Sequence, residues 1–413
     1  MSESEIDWEK KYSESELEEI DTEISTDPVE VKKDPVGTYM DSMFSSDTQT
    51  RYHKHNENTL KEFEAFVYNE HNLHPCSVSE EHIRRFNDHL KNGTAYVLQG
   101  PSNAPKEFDT SESTRVKRLS FINRFYTWLE ERNVISDNPA KPAIDSLDLS
   151  ESKKDRPLIT MREMAEFLES LSDYFVKSWF VLLLKTGARR GEAANIDLRD
   201  VHIDHPVYYE FIDEHGISLE SEVESKPDSL FIMGGFNEET EVRGEVREFG
   251  NKRSRDDGTV IPIDPELKLS LIEYILTRPA PSPNTRCCPL FVKQETHGPK
   301  NRITADVIRT RVFSTLADYN NWYTSGASVT EKIDNHYFRH YFTHNHRHMR
   351  GVYDDYMPDG LRAYIRGDAD SSGDEENSNT ARNTVYSHSD WDDWSRTVEE
   401  PYLDAIYKFG IYD

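Results

Sequence analysis

The run Trp179–Leu184, WFVLLL, constrains the fold more than any other segment, because it is apolar on every side of a helix in a chain that is only 35% hydrophobic. A helix without a polar face has to be surrounded by protein. It is therefore expected at the buried centre of a domain. Just upstream, Thr160 and Glu163 have the spacing of a capping box and open a helix with Met164, Phe167, Leu168 and Leu171 facing inward. Downstream, SLFIMGG, EVRGEVREF and TVIPI read as short strands separated by turn-rich, acidic stretches, and helical patterning then returns. This half of the chain is expected to be an α-rich domain around one small antiparallel sheet.

A length of 413 residues fits two domains with tails. Residues 1–34 are rich in Glu, Ser and Asp and are expected to form an acidic, disordered tail with at most a short helix around Glu14–Ile24. Residues 35–144 carry three helical stripes. The first is Leu60, Phe63, Phe66 and Val67. The second is Ile83, Phe86 and Leu90, after a possible capping box at Ser77 and Glu80, and the third runs from Val116 through Leu119, Ile122, Phe125 and Tyr126 to Leu129. They predict a small helical bundle. Residues 145–158 are polar and charged, as an interdomain linker would be, and residues 159–413 form the second domain. The fold class expected is mainly α with a small antiparallel β-sheet, a helical N-terminal domain followed by an α+β one.

Composition narrows the function classes. No stretch approaches twenty consecutive apolar residues and the N-terminus lacks the basic and apolar regions of a signal peptide, so a soluble, intracellular, cytoplasmic protein without membrane partners is expected. Cys76, Cys287 and Cys288 cannot by themselves form a disulfide framework or a zinc site. Asp and Glu total 77 against 49 Lys and Arg, a formal charge of -28, and the acids are spread along the whole chain. That distribution is similar to proteins of salt-in halophilic archaea; an ordinary acidic protein is the plainer reading. Against this background Arg115, Lys117, Arg118 and Arg124 make a local basic cluster on the third helix. They mark either a solvated face or a surface that neutralises phosphates.

Four dispersed segments carry the chemistry: TGARRGEA at 186–193, GNKRSR at 250–255, HYFRH at 336–340 and TVYSH at 384–388. In this order they resemble the active site of the tyrosine recombinases, the phage-type integrase family, which cut and rejoin DNA through a phosphotyrosine bond. SESTRVKRLSFINRFYTWLEERNVISDNPA is similar to the last long helix of that family's core-binding domain. The resemblance implies a SAM-like core-binding domain over 35–144 and a catalytic domain over 159–413. It assigns Arg189 and Arg339 to the phosphate, Glu192 to the acid that follows the first arginine, Lys252 to protonation of the departing 5′ oxygen, His336 to proton transfer and Tyr386 to nucleophilic attack. Guanidinium suits such a clamp because it stays charged and presents a planar donor fork. The basic cluster of the third helix and His340 become DNA contacts.

Alternatives remain at several positions. Arg253 and Arg255 compete with Lys252, and Tyr402, Tyr407 and Tyr412 compete with Tyr386. His336, His340 and His344 recur at a helical interval that could face a zinc ion, although no carboxylate or cysteine keeps the same phase. His346 and His348 read as DNA-facing or solvated. YIRGD puts Asp368 where the family usually has the histidine or tryptophan of a Leu-Gly-His box, so the carboxylate points away, bonds a neighbouring arginine, or marks a divergent branch. The terminal segment YLDAIYKFGIY is apolar, and in the family such a segment packs onto a neighbouring protomer. The expected function is a site-specific recombinase or integrase of a virus, plasmid or integrated element, acting on double-stranded DNA as a tetramer through a 3′-phosphotyrosine, with no metal or other cofactor. A DNA-binding protein of the same fold with impaired catalysis is the runner-up, and an acidic protein-interaction module without a DNA role is the third reading.

Overall fold

A computed structural model describes residues 28–44, 51–99, 104–147, 149, 156–254, 256–280, 288–293, 302–323, 333–348, 357–368 and 391–412. The Glu14–Ile24 segment, residues 150–155 of the linker, Arg255, Tyr386 and His388 lie outside the described residues. The chain divides into two compact units, Met1–Lys153 and Lys154–Asp413.

The first unit contains α1 (Pro28–Lys33), α2 (Pro35–Met43), α3 (Arg51–His71), α4 (Glu80–Asn92), the hairpin β1 (Thr94–Gln99) with β2 (Pro105–Glu107), α5 (Glu112–Glu131) and α6 (Ala140–Ser146). The stripes read from the sequence are its core: Leu60, Phe63 and Val67 of α3, Ile83, Phe86 and Leu90 of α4, and Leu119, Ile122, Phe125 and Leu129 of α5 are all buried. Three details differ from the sequence reading. Pro28–Lys33, read as part of the tail, form α1, and the Lys32 carbonyl pairs with the His74 ring at 2.9 Å. The cap of α4 is Ser79, whose N–H donates to Nδ1 of His82, while Pro75–Ser77 makes a separate turn of 3₁₀ helix. The bundle also carries the β1–β2 hairpin. Buried Glu62 anchors it by accepting the N–H groups of Tyr96 and Val97, each at 2.9 Å.

The second unit is built around α8 (Tyr174–Thr186), which follows α7 (Met161–Ser170). The capping box read at Thr160 is formed: Thr160 N–H donates to Glu163 at 2.8 Å and Glu163 N–H returns to the threonine hydroxyl at 3.2 Å. Every residue of WFVLLL is completely buried, and the indole N–H of Trp179 donates to Asn335 at 2.9 Å. Gly187 stops the helix in the left-handed region (φ 60). There follow α9 (Arg190–Asn195), β3 (Val201–His202), α10 (Pro206–Glu214), α11 (Ser221–Glu224), β4 (Ser229–Ile232), β5 (Glu241–Val242), β6 (Glu245–Val246), β7 (Thr259–Pro262) and α12 (Pro265–Thr277).

The sheet is antiparallel in the order β3-β4-β7, with Leu230 opposite Ile261. Unlike the single sheet expected, EVRGEVREF pairs with itself as β5–β6. Arg243 (φ 54) and Gly244 (φ 80) both take the left-handed conformation that a two-residue hairpin turn demands. The hairpin is tied down by charge. Arg243 bonds Asp197 and Asp200 at 2.8 Å, buried Arg247 bonds Asp197 at 3.0 Å, and Arg302 bridges Asp197 and Glu245.

The unit closes with α13 (Ala305–Val307), a π turn into α14 (Phe313–Asp318), α15 (Asn335–His348), α16 (Asp359–Arg366), α17 (Trp391–Trp394) and α18 (Glu400–Ala405). The terminal segment docks on its own domain. Lys185, fully buried in α8, donates to Asp264 at 2.7 Å and to the Tyr407 carbonyl at 2.6 Å, and it pairs with Glu266. Glu266 accepts the N–H groups of Phe409 and Gly410 at 2.9 and 2.6 Å. Removing the only cation of this group strands two buried carboxylates. Lys185→Met is expected to destabilise the second unit by about 3–5 kcal/mol in urea unfolding, whereas the exposed pair partner change Arg162→Gln should shift it by less than about 0.5 kcal/mol.

Candidate active site

Three segments far apart in sequence meet at the C-terminal end of α8. The left-handed turn at Gly187 brings Arg189 to the start of α9, where its own N–H donates to Glu192 at 3.0 Å and its Nη1 donates to the same carboxylate at 2.9 Å. Glu192 is fully buried, which raises the carboxyl's pKa. Arg253, Arg189 and the Arg189 N–H outweigh that burial and hold the carboxyl below its usual range. From α15, Arg339 enters with only 2% of its side chain exposed and donates Nη1 to the carbonyls of Gly187 at 2.6 Å and Arg366 at 2.9 Å. Burial, then the nearby Arg366 and Arg189 guanidinia, lower its pKa to about 9.

Of the alternatives the sequence left open, Asp368 takes the one in which it bonds neighbouring arginines. Its Oδ1 accepts from Nη2 of Arg189 at 3.0 Å and from Nη2 of Arg339, and its Oδ2 pairs with Nη2 of Arg366 at 2.9 Å. Gly367 (φ 66) makes this turn possible, and its carbonyl accepts the Ser254 N–H at 3.0 Å. A Cβ at Gly367 would lie 2.7 Å from the Arg253 side chain, so the YIRGD turn and the 252–254 segment are locked together. Counting Arg189, Arg253, Arg339 and Arg366 against Glu192 and Asp368 gives 4 - 2 = +2 for the cluster.

The other predicted residues stand around this cluster. Lys252 is exposed, and its carbonyl accepts from Arg189 Nη1 at 2.7 Å. Its competitor Arg253 is buried beneath, donating to the Ile365 carbonyl at 3.2 Å and facing Glu192 at 3.5 Å. His336 and His340 are exposed at the surface of α15 with ring centroids 4.5 Å apart, edge to face. Protein crowding around His336, then Arg156 and more weakly Arg339 and Arg189, pushes its imidazole below the ordinary value. The same crowding, followed by Arg156 and His336, brings His340 down to about 4. Both rings are therefore neutral at pH 7, the state in which an imidazole accepts a proton.

His346, read as solvated or DNA-facing, is core: it is buried, with its ring 5.1 Å from that of Tyr407. Among the described residues no cluster of three His, Cys, Asp or Glu side chains is arranged to hold a metal ion. All three competing tyrosines have engaged phenols: Tyr402 donates to the Lys185 carbonyl at 2.9 Å, Tyr407 to that of Leu184, and Tyr412 to Glu273 at 2.6 Å. In the first unit Lys117 and Arg124 of α5 are exposed, whereas Arg115 donates to Asn87 at 3.0 Å and Arg118 lies over the Phe108 ring at 4.9 Å. Sequence reasoning missed Arg366. Its signal was its place beside the glycine and aspartate of YIRGD.

No family model matches the chain, and no curated protein does. Among solved structures it is similar to the Tn1549 transposon integrase in complex with transposon right end DNA, at 15% identity over 80% of this chain and 90% of that one, with a TM-score of 0.53. The same integrase with circular intermediate DNA matches at 14% identity over 87% and 97% of the two chains, with a TM-score of 0.50. The shared feature is the fold, that of the tyrosine recombinases.

Glu192 makes the site acid-sensitive. Its folded pKa lies below the unfolded value of about 4.3, so its contribution is complete above that value and is lost as pH falls through the lower folded one. Glu192→Gln should flatten this acid-side loss in urea titrations and cost about 3–5 kcal/mol at neutral pH.

Proposed function

We propose that the protein is a tyrosine-type DNA strand transferase, a site-specific recombinase or integrase. The observation that carries this reading is the convergence of Arg189, the Lys252 backbone and Arg339 on one cluster with an excess of two positive charges, within a tyrosine-recombinase fold. In this reading the guanidinia of Arg189 and Arg339 take the non-bridging oxygens of a phosphodiester, and their charge stabilises the negative charge that builds in the transition state. Neutral His336 accepts the proton of Tyr386, whose oxygen attacks phosphorus to give a 3′-phosphotyrosine. Lys252, exposed at the edge of the site, protonates the departing 5′ oxygen. The bond energy stays in the ester, so rejoining needs neither ATP nor metal.

Exposed Lys117 and Arg124, with Arg115, Arg118 and His340, supply phosphate contacts on double-stranded DNA. A tetramer joining two specific sites, a Holliday junction intermediate and a mobile-element origin in a halophilic host complete the proposal. Among the described residues no helix is long and apolar enough to cross a membrane. A second reading, a DNA-binding protein without strand transfer, draws its support from Asp368, a carboxylate lying on both clamp arginines.

A nicked suicide duplex carrying the cognate site separates the two. Strand transfer predicts a covalent adduct on denaturing gels that is absent in Tyr386→Phe and reduced about a hundredfold or more in Arg339→Ala. Specific binding without any adduct, across low and molar KCl, leaves only the second reading.

A further inference from the structure

Arg366 and Asp368 stand out because the clamp residues alone do not account for them. Three guanidinia converge on a single carboxylate: Arg189 and Arg339 on Oδ1, and Arg366 on Oδ2 at 2.9 Å. This is how arginines surround an oxyanion with several acceptor oxygens. Arg366 is brought there by the fold. It ends α16, its carbonyl accepts from Arg339 at 2.9 Å, and its stem crosses Gly187 so closely that a Cβ on that glycine would lie 3.1 Å from Arg366 Cγ. The glycine of TGARRGEA thus makes room for the third arginine as well as ending α8.

Asp368 has the position of something exchangeable. Its side chain is 26% exposed, beside Arg189 at 29%, so it sits at the mouth of the cluster while Arg339 lies inside at 2%. Its backbone is fixed, with the N–H on the Ala363 carbonyl at 3.0 Å. Leaving the arginines therefore needs only a side-chain rotation. Asp368 occupies Nη2 of both Arg189 and Arg339, and their Nη1 atoms are committed to Glu192 and to backbone carbonyls. A phosphate taking the same two donors has to replace the carboxylate.

We infer that Arg189, Arg339 and Arg366 form one three-arginine phosphate site in which Asp368 is a built-in stand-in for the phosphate, displaced when the substrate binds. The inference deepens the strand-transfer reading and rests on it for the identity of the substrate. It makes Arg366 a third phosphate-binding residue and Asp368 a competitor that sets the affinity threshold. The cluster retains its +2 excess with Asp368 in place, so an incoming phosphate anion meets a net attractive field.

The test is titration of the full chain with inorganic phosphate at fixed ionic strength, followed by phosphorus NMR, with unfolding curves to confirm that each variant is folded. Asp368→Asn keeps the shape and removes the charge, and should bind phosphate about ten- to a hundredfold more tightly than wild type. Asp368→Ser, which also removes the competitor, should do the same. Adding Arg366→Gln to Asp368→Asn should reverse the gain by about tenfold or more. Unchanged or weaker phosphate binding in both Asp368 variants overturns the inference, because the carboxylate would then be organising the arginines and not competing with the ligand. An unchanged affinity on adding Arg366→Gln removes Arg366 from the site. Phosphate binding as expected with no DNA adduct would reject strand transfer alone. An adduct from wild type with no gain in the Asp368 variants would reject this inference alone.

Discussion

The second unit depends on keeping one nearly buried guanidinium satisfied. Arg339 is almost removed from water, and an unpaired charge there would cost several kcal/mol. Its donors are met by the turn at the end of α8, by the last carbonyl of α16 and by Asp368. Each of those partners is fixed in turn: Gly187 by the buried α8, Arg366 by the left-handed Gly367, and the Gly367 carbonyl by Ser254. The apolar helix, the YIRGD turn and the segment after the hairpin are thereby held in register around a single side chain. The arginine cluster emerges from the same contacts that close the core.

The acidity of the chain becomes easier to understand in this light. Many of its arginines are drawn inward: Arg247, Arg253, Arg302 and Arg339 are all buried and face carboxylates. Asp197 alone meets Arg243, Arg247 and Arg302. Glu192 and Asp197, two of the carboxylates these arginines face, are buried with them. A net charge of -28 and an electropositive arginine cluster coexist without conflict. The local field at the site is set by the arginines within a few ångströms, not by the total.

Much of this was legible in the sequence where the signal was local. The stripes at Leu60, Ile83 and Leu119, the capping box at Thr160 and the all-round apolar WFVLLL depend on helical spacing, and their burial follows from it. Arg189 with Glu192 and Arg339 were readable because each motif is compact. What escaped were features made by distant pairing. The β1–β2 hairpin needs Glu62 from a helix, and His346 is core because Tyr407 returns to cover it. Arg366 was invisible for the same reason, since its importance lies in crossing Gly187, 179 positions earlier by 366 - 187. EVRGEV is the local exception, folding on itself because Arg243 accepts a left-handed conformation.

Whether the arginine cluster at Asp368 seats a DNA phosphate is decided by a crystal structure of the protein with a duplex spanning its target site. A phosphate oxygen is expected within hydrogen-bond reach of Arg189 and Arg339, with the Asp368 carboxylate turned away from both. DNA held elsewhere on the chain, with Asp368 still bridging the two arginines, would contradict it.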